Sequence, residues 1–324
     1  MIQKQDASSS ALSPPVAPII KVERLVKRYK KAETNAVNEI SFSVRPGSLF
    51  SLLGPNGAGK TTTISILTTT LQPTSGSVMI ADYDISRQAS AVRKNIGIIF
   101  QKPSLDLNLT AEENVRFHAT LYGLYPFRPS YKTMPKGYQQ RIDELANVLE
   151  IREDLFKPVK KFSGGMMRKL EILRSLLHNP RVLFLDEPTT GLDPSSRRSL
   201  WEYLSKVRLE QQTTIFLTTH YLEEAEKADD ICIINKGNIV AHGTPAQVKA
   251  ELVEEYVLLD ADDRASLLAE LRRLDLSVGE QVPFKVSLAH DRLHSVLKAI
   301  ETPLTLIETH LPSLEDAYME IIGK

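Results

Sequence analysis

Cysteine occurs once in the sequence, at Cys232, which excludes an intrachain disulfide. A lone thiol fits a reducing compartment, and we expect it to be a small apolar group of the core rather than a nucleophile. Long apolar runs are also missing. The longest are short ones such as 96–100 and 231–234, far below the roughly 18 residues that a membrane span needs. We therefore expect a chain that does not cross a membrane by itself.

Neither sign of charge is in excess, because 40 Lys and Arg residues balance 40 Asp and Glu residues. The sequence thus has no overall field that would recruit nucleic acid or an anionic membrane. Hydrophobic residues make up 42% and charged residues 25% of the chain, which excludes a mainly disordered or fibrous protein. At roughly 150 residues per domain, the 324 residues suffice for about two domains.

Short apolar segments alternate with helical patterns over most of the chain. Alternating segments at 19–25 and 40–44 predict exposed strands. A short apolar strand that ends at a glycine is predicted at 48–53, and continuous apolar runs predict buried strands at 95–100, 181–185 and 213–218. Helical patterns occupy 60–71, 139–150, 195–209 and 222–228. Buried strands that alternate with helices indicate an α/β fold with a parallel sheet.

The pattern divides into three regions. Residues 1–18, with successive serines and three prolines, lack the features of a secretory signal and predict a disordered tail. Residues 19–250 form the main domain, with a helical subdomain at about 102–177. Prolines mark 125–138 as a loop, which we interpret as an exposed insertion. Residues 251–324 predict a small α/β accessory domain.

A glycine-rich motif stands between the predicted strand 48–53 and the helix that begins at Lys60. Glycines let the backbone curl so that N–H groups converge on phosphate oxygens, and the helix adds the positive end of its dipole. We expect Lys60 to neutralise the β- and γ-phosphates of a nucleotide and the Thr61 hydroxyl to bind Mg²⁺. A chance glycine turn is the alternative, and the position between strand and helix disfavours it. The motif comprises Gly54, Pro55, Asn56, Gly57, Ala58, Gly59, Lys60, Thr61 and Thr62.

Two carboxylates, Asp186 and Glu187, follow the apolar strand 181–185. Ligands bind at the carboxyl ends of strands in open parallel sheets. We expect Asp186 to hold Mg²⁺ directly or through water, and Glu187 to orient or deprotonate the attacking water. Two acids after a strand are as often a solvated loop, but the phosphate loop favours the catalytic interpretation.

The stretch 161–168, KFSGGMMR, opens a helix with a serine and two glycines. By itself it is a helix N-cap. Together with GPNGAGKTT, however, FSGGM resembles the signature motif of ATP-binding cassette (ABC) transporters. The resemblance covers about 19–250 and implies the mixed-sheet P-loop NTPase fold with a helical subdomain, with ATP and Mg²⁺ as cofactors. It implies that Ser163, Gly164 and Gly165 contact ATP.

Further residues match motifs of this family in the right order. The resemblance implies that Tyr29 stacks on adenine, that Gln101 approaches Mg²⁺ and the attacking water, and that His220 contacts the γ-phosphate. Gly191-Leu-Asp193 is similar to the loop that contacts the second subunit and its nucleotide. Each residue alone has a plainer interpretation, as a strand-edge tyrosine, a polar strand end, a structural histidine or a turn.

In detail the chain is similar to the branch of the family that exports drugs or other hydrophobic compounds, in which the membrane-spanning permease is usually a separate polypeptide. The resemblance implies a head-to-tail homodimer on the cytoplasmic face of the cell membrane, peripheral to the permease. The alternative is an ABC ATPase that acts on ribosomes or DNA. It is disfavoured because there is one cassette, and because the stretch from Lys60 to Ser163 is too short for a long coiled coil. A binding module without turnover conflicts with the presence of Glu187 and His220.

Overall fold

A computed structural model describes residues 17–102, 104–252, 256–279, 281–287, 292–310 and 313–322. The predicted tail 1–18 lies outside these residues except for its last two positions. The chain divides into two compact units. The first comprises Met1–Leu49 and Thr61–Leu217, and the second comprises Phe50–Lys60 and Thr218–Lys324. The boundary that the sequence predicts at residue 250 stays a prediction.

The elements follow the chain in this order. The strands are β1 (Ile20–Lys27), β2 (Val37–Val44), β3 (Leu49–Leu53), β4 (Ser75–Ile80), β5 (Tyr83–Asp84), β6 (Ile96–Ile99), β7 (Val182–Asp186), β8 (Thr214–Thr219), β9 (Asp230–Asn235), β10 (Asn238–Gly243), β11 (Tyr256–Ala261), β12 (Ser277–Val278), β13 (Phe284–Ser287) and β14 (Leu304–His310). The α-helices are α1 (Lys60–Leu67), α2 (Ala89–Asn95), α3 (Ala111–Leu121), α4 (Lys136–Val148), α5 (Gly164–Leu176), α6 (Pro194–Gln211), α7 (Leu222–Ala225), α8 (Pro245–Leu252), α9 (Arg264–Arg273), α10 (Leu293–Ala299) and α11 (Leu314–Ile322).

The first unit contains an antiparallel sheet with the strand order β2-β1-β4-β5. Its strands bury one face and expose the other, as alternating sequences do. In β2, the side chains of Ile40, Phe42 and Val44 are buried, whereas Ser41 and Ser43 are exposed. The alternation that the sequence shows at 40–44 is thus that of a half-buried strand.

The same unit contains β6 and β7 as parallel neighbours, in register from Ile96 beside Val182 to Ile99 beside Leu185. The part of β8 up to Leu217 lies on the other side of β7. Every residue of β7 is buried, as expected for a continuous apolar run covered on both faces. The strand delivers Asp186 at its carboxyl end, and Glu187 follows directly.

Helices α3, α4 and α5 occupy the predicted helical subdomain. Helix α3 begins at a capping box, in which the Thr110 hydroxyl accepts from Glu113 N while a Glu113 carboxylate oxygen accepts from Thr110 N. Helix α5 begins after Ser163, whose hydroxyl accepts from Met166 N over 3.2 Å. Both starts follow the serine and threonine signals in the sequence.

The segment 125–138, predicted to be an exposed insertion, is exposed over most of its length, but Met134 and Tyr138 are buried. Tyr138 is fully buried in α4, and its hydroxyl donates to Glu112 Oε1 over 3.0 Å. The Tyr131 hydroxyl donates to Asp143 Oδ1 over 3.0 Å. The prolines lie between α3 and α4, and Pro135 is the N-cap of α4. The rings of Tyr131 and Tyr138 bury apolar surface and pack this segment against the two helices.

In the second unit, β3 from Phe50 onward pairs in parallel with β9, and β9 continues through a hairpin into β10. Lys236 and Gly237 form the turn with φ values of 46° and 81°. Two successive positive φ values match the twist of a two-residue hairpin. The hairpin predicted across these residues is therefore present.

The second unit also contains an antiparallel sheet with the order β12-β13-β11-β14. Helix α9 buries Leu267 and Leu271 against it, with Leu268 and Leu274 at the edge of the cluster. This is the apolar helix face that the sequence predicts. Helix α11 packs against α8. Within the described ranges, no helix combines the length and the apolar character that crossing a membrane requires.

Candidate active site

The phosphate loop (54–60) follows β3 in the second unit and ends at Lys60, the first residue of α1. A Cβ at Gly54 would collide with the carbonyl oxygen of Ile234 in β9, and Gly57 has a φ of 79°. Only glycine meets both demands without strain. The loop is tied to the β9–β10 turn by a 2.9 Å hydrogen bond from Gly237 N to Ala58 O. These contacts hold the loop in its curled form.

Lys60 is only 4% exposed and lies along the loop that precedes it. Its Nζ donates to the carbonyl oxygens of Gly54 over 2.7 Å and Pro55 over 3.1 Å. The ammonium group is thus held at the loop, at the start of a helix, where backbone N–H groups favour an anion. A curled glycine loop with a lysine at this place has the chemistry of a phosphate site.

In the first unit, Tyr29 and Thr62 lie close together. The two hydroxyl oxygens are 3.3 Å apart, and Tyr29 is 47% exposed. An exposed ring of this kind offers a face on which a planar base can stack. Thr61 is exposed next to Thr62, near the start of α1.

Gln101 and Glu187 lie together at the ends of neighbouring strands. Gln101 Nε2 donates to Glu187 Oε2 over 3.0 Å, and the Thr190 hydroxyl donates to the same oxygen over 3.4 Å. Glu187 has a φ of 46°, a left-handed conformation that is uncommon for a residue with a side chain. Asp186, one residue earlier, is buried. A carboxylate with an amide beside it has the chemistry to hold a water molecule.

The signature turn (163–165) lies beside the start of α6. A Cβ at Gly165 would lie 2.5 Å from Ser196 Oγ, whereas a Cβ at Gly164 would meet nothing within 4 Å. Asp193 caps α6 by accepting from the N–H groups and hydroxyls of Ser195 and Ser196. These donors hold the pKa of Asp193 well below its usual range. The Asp193 side chain is thus engaged in its own helix cap.

His220 follows β8 in the second unit, with its ring centroid 4.1 Å from that of Tyr221. The turn that carries it is held by Thr219, whose hydroxyl donates to the buried Glu224 over 2.6 Å and accepts from Tyr221 N over 2.9 Å. The histidine is therefore presented by a turn with two hydrogen bonds rather than by a loose loop.

Arg168 is a residue whose importance the sequence analysis missed. Arg168 is buried in α5, and its guanidinium donates to the carbonyl oxygens of Phe100, which precedes Gln101, and of Glu187. A signal was present, since Arg168, Glu171 and Arg174 recur along an otherwise apolar helix face. Charged residues at such spacing are buried only when they have partners.

Asp186, Thr61 and Gln101 offer carboxylate, hydroxyl and amide oxygens, the ligand types that Mg²⁺ prefers. No group of three or more His, Cys, Asp or Glu side chains within the described ranges forms a metal cage. These residues therefore fit a Mg²⁺ ion held together with phosphates and water. The curled loop and Lys60 fit the phosphates of ATP.

Comparison with known proteins agrees with this chemistry. A sequence profile of the ABC transporter family matches residues 37–190. The chain is 35% identical over 319 residues to the Nod factor export ATP-binding protein I of Ralstonia nicotianae, covering 95% of this chain and 94% of that protein. It is 33% identical over 314 residues to the daunorubicin resistance ATP-binding protein DrrA3 of Streptomyces coeruleorubidus, covering 94% of this chain and 96% of that protein.

A similar solved structure is the dimeric post-hydrolysis state of the ATP-binding cassette MJ0796 bound to ADP and Pi. It has a TM-score of 0.61 and 26% identity, and the match covers 69% of this chain and 98% of that chain. The chain belongs to the ABC transporter family, among its ATP-binding proteins. It is an ATPase with the α/β P-loop fold, as the sequence predicts.

Proposed function

We propose that this chain is the ATP-hydrolysing subunit of an exporter for a drug-like or other hydrophobic compound, and that a separate permease spans the membrane. The proposal is carried by the phosphate loop with its buried Lys60, together with relatives that are named for export or drug resistance. The subunit would act at the cytoplasmic face of the cell membrane, attached through the permease.

The phosphate loop binds the triphosphate in this proposal. Backbone N–H groups from Gly54 to Lys60, through Pro55, Asn56, Gly57, Ala58 and Gly59, surround the phosphates, where proline contributes only its fixed φ. Lys60 leaves its carbonyl contacts to pair with phosphate oxygens, which are stronger acceptors because they are charged. Tyr29 stacks on the adenine, and Thr62 keeps the Tyr29 hydroxyl in place.

Thr61, Asp186 and Gln101 would hold Mg²⁺, which supplies positive charge to the phosphates as the terminal bond breaks. Glu187 takes or orients the proton of the attacking water. Gln101 keeps the Glu187 carboxylate in place through its amide N–H, and its amide oxygen stays available for Mg²⁺ or water. His220 donates a hydrogen bond to the γ-phosphate.

Two copies of the chain would bind head to tail, with Ser163, Gly164 and Gly165 of each copy closing over ATP on the other. The empty space around Gly164 supports this arrangement, because a phosphate needs close access to the backbone there. Asp193 would contribute to the second site indirectly, by holding the start of α6 beside Gly165. The dimeric cassette MJ0796 is a precedent.

An export assay tests the proposal. The gene is expressed with a neighbouring membrane-protein gene in a host sensitive to hydrophobic drugs, and drug accumulation is compared between the natural chain and Lys60→Ala. We expect lower accumulation only with the natural chain, since loss of the lysine leaves a phosphate charge uncompensated. Equal accumulation with both chains, at equal expression and across a drug panel, would contradict the export function.

A further inference from the structure

Arg168 lies in the second turn of α5 with its side chain 7% exposed. Its guanidinium donates from Nη1 to Phe100 O over 2.6 Å, from Nε to Pro188 O over 2.8 Å and from Nη2 to Glu187 O over 3.3 Å. Its charge is balanced by Glu171, whose Oε2 lies 3.0 Å from Nη1. One side chain thus binds three backbone carbonyl groups on two separate segments.

These carbonyls belong to the segments that carry Gln101 and Glu187, which we call the hydrolytic pair. Phe100 O is the carbonyl of the peptide bond that leads into Gln101. Glu187 O and Pro188 O follow the left-handed turn at Glu187, where φ is 46°. Such a conformation costs free energy and persists only where surrounding groups hold it. The hydrogen bonds of Arg168 to the three carbonyls stabilise this conformation.

Glu171 reinforces the arrangement on the side of Gln101. Its Oε1 accepts from Ser104 N over 2.9 Å, while its Oε2 binds Arg168. The buried Glu171 therefore joins the segment that follows Gln101 to the guanidinium of Arg168. The planar fork of arginine suits this role, because three separate nitrogens each donate to a different carbonyl, whereas lysine has a single nitrogen.

We propose that Arg168 is a positioning residue for ATP hydrolysis, which sets the distance and orientation between Gln101 and Glu187 from the helix that begins at the signature turn. The proposal rests on the proposed roles of Gln101 and Glu187. The hydrogen bonds of Arg168 go to the carbonyls of Phe100, Glu187 and Pro188 and to the Glu171 carboxylate. Arg168 therefore acts through the backbone beside Gln101 and at Glu187, and helix α5 links these positions to Ser163.

A matched control separates positioning from the cost of altering a buried arginine. Arg116 in α3 is also buried, pairs with Glu112 at 3.0 Å and donates to a backbone carbonyl, Arg128 O, over 2.7 Å. These hydrogen bonds of Arg116 go to Glu112 and Arg128 and not to the segments that carry the hydrolytic pair. Arg116→Lys and Arg168→Lys therefore remove the same kind of buried interaction.

The test compares kcat, KM for ATP and melting temperature of the full chain, with Mg²⁺, for both variants. We expect Arg168→Lys to lower kcat by about 10- to 100-fold, as small misplacements of catalytic groups do. KM and ATP affinity should change by less than about threefold. Arg116→Lys should lower the melting temperature by a similar amount and leave kcat within about twofold. Equal kcat losses in the two variants, or a kcat loss in Arg168→Lys below about twofold, would overturn the proposal.

A double variant checks the route of action. If Arg168 acts through Glu187, Arg168→Lys should cause little further loss of turnover in a Glu187→Gln chain, because residues that act as a unit are not additive. Multiplying losses would instead place Arg168 on another route. Normal turnover in Glu187→Gln alone would contradict the proposed function itself, whatever Arg168 does, so the two failures are distinguishable.

Discussion

Gln101 and Glu187 are joined by a 3.0 Å hydrogen bond although they are 86 residues apart in the chain. The bond exists because β6 and β7 are parallel neighbours, with Ile99 beside Leu185, so both strands end at one edge of the sheet. The strand register thus brings the side chain of Gln101 to that of Glu187. The arrangement makes Glu187 the first residue to test.

Glu187→Gln should lower ATP turnover by about 100-fold or more while ATP binding persists, since a general base contributes roughly 10² to 10⁴ in rate. Glutamine keeps the size of the side chain but cannot take a proton. Trapped ATP should then hold two chains together, which size-exclusion chromatography with ATP and Mg²⁺ detects. Lys60→Ala is the contrasting variant and should lose ATP affinity instead. Near-normal hydrolysis by Glu187→Gln would remove Glu187 from its role.

Gly164→Asp tests whether each site is shared between two chains. The added Cβ meets nothing within 4 Å, so the variant should fold normally and place a carboxylate where the partner's phosphate is expected. Mixing Gly164→Asp chains with Lys60→Ala chains should restore one intact site in each mixed dimer. Gly164→Ala serves as the control for loss of glycine. No recovered activity in mixed dimers of proven composition would count against the head-to-tail arrangement.

The stability of the chain should depend on pH because His118 is uncharged in the folded state. Burial lowers the pKa of His118 to about 3, and the electrostatic effects of Arg174 and His178 act in the same direction. The unfolded chain titrates near 6.5 and therefore binds a proton that the folded chain excludes. The contribution of His118 to the free energy of unfolding is fully present above about pH 6.5. It falls as the pH decreases from about 6.5 towards 3.

Urea unfolding at pH 7.0 and 5.5 measures this effect. The natural chain should lose about 1 kcal/mol more than His118→Gln between the two values, because glutamine does not titrate. The ring of His118 stacks on Tyr122, so the variant will also be less stable at both pH values. Only the difference in pH dependence tests the prediction. Parallel pH profiles for the two proteins would show that His118 titrates normally in the folded chain.

Removing residues after Ala250 tests the predicted accessory domain. We expect the shortened chain to bind ATP while its dimer or its coupling to the permease weakens. A second cut after His310 removes α11 but keeps the sheet, and controls for the loss of α11 from α8, where Val248 is buried. Loss of ATP binding in a soluble chain that is folded by circular dichroism would show that residues after 250 contribute to the nucleotide site.

The sequence predicts an element well where its hydrophobic pattern extends over several residues. Strand β7 and helix α6 lie within two residues of their predicted ends, because one is a continuous apolar run and the other begins with Asp193 and a proline. Helix α2 was not predicted. Val92 is its buried side chain, and one buried residue gives no helical periodicity in the sequence.

The contacts within the site could be predicted less well than its residues. The motifs indicate Gln101 and Glu187, but their hydrogen bond depends on the register of two strands, which no local pattern specifies. The buried hold of Arg168 on three carbonyls was missed for the same reason. Tyr138 shows the opposite case, since its proline-rich surroundings suggest a loop while its ring supplies the burial that decides the structure.

The burial of Cys232 in β9 makes the chain convenient for spectroscopy. Burial raises the pKa of this thiol and removes it from solvent, so thiol-reactive dyes should not label it in the native state. A cysteine introduced at an exposed position then becomes the sole labelling point without any background mutation. Slow labelling of Cys232 itself would measure how often β9 opens.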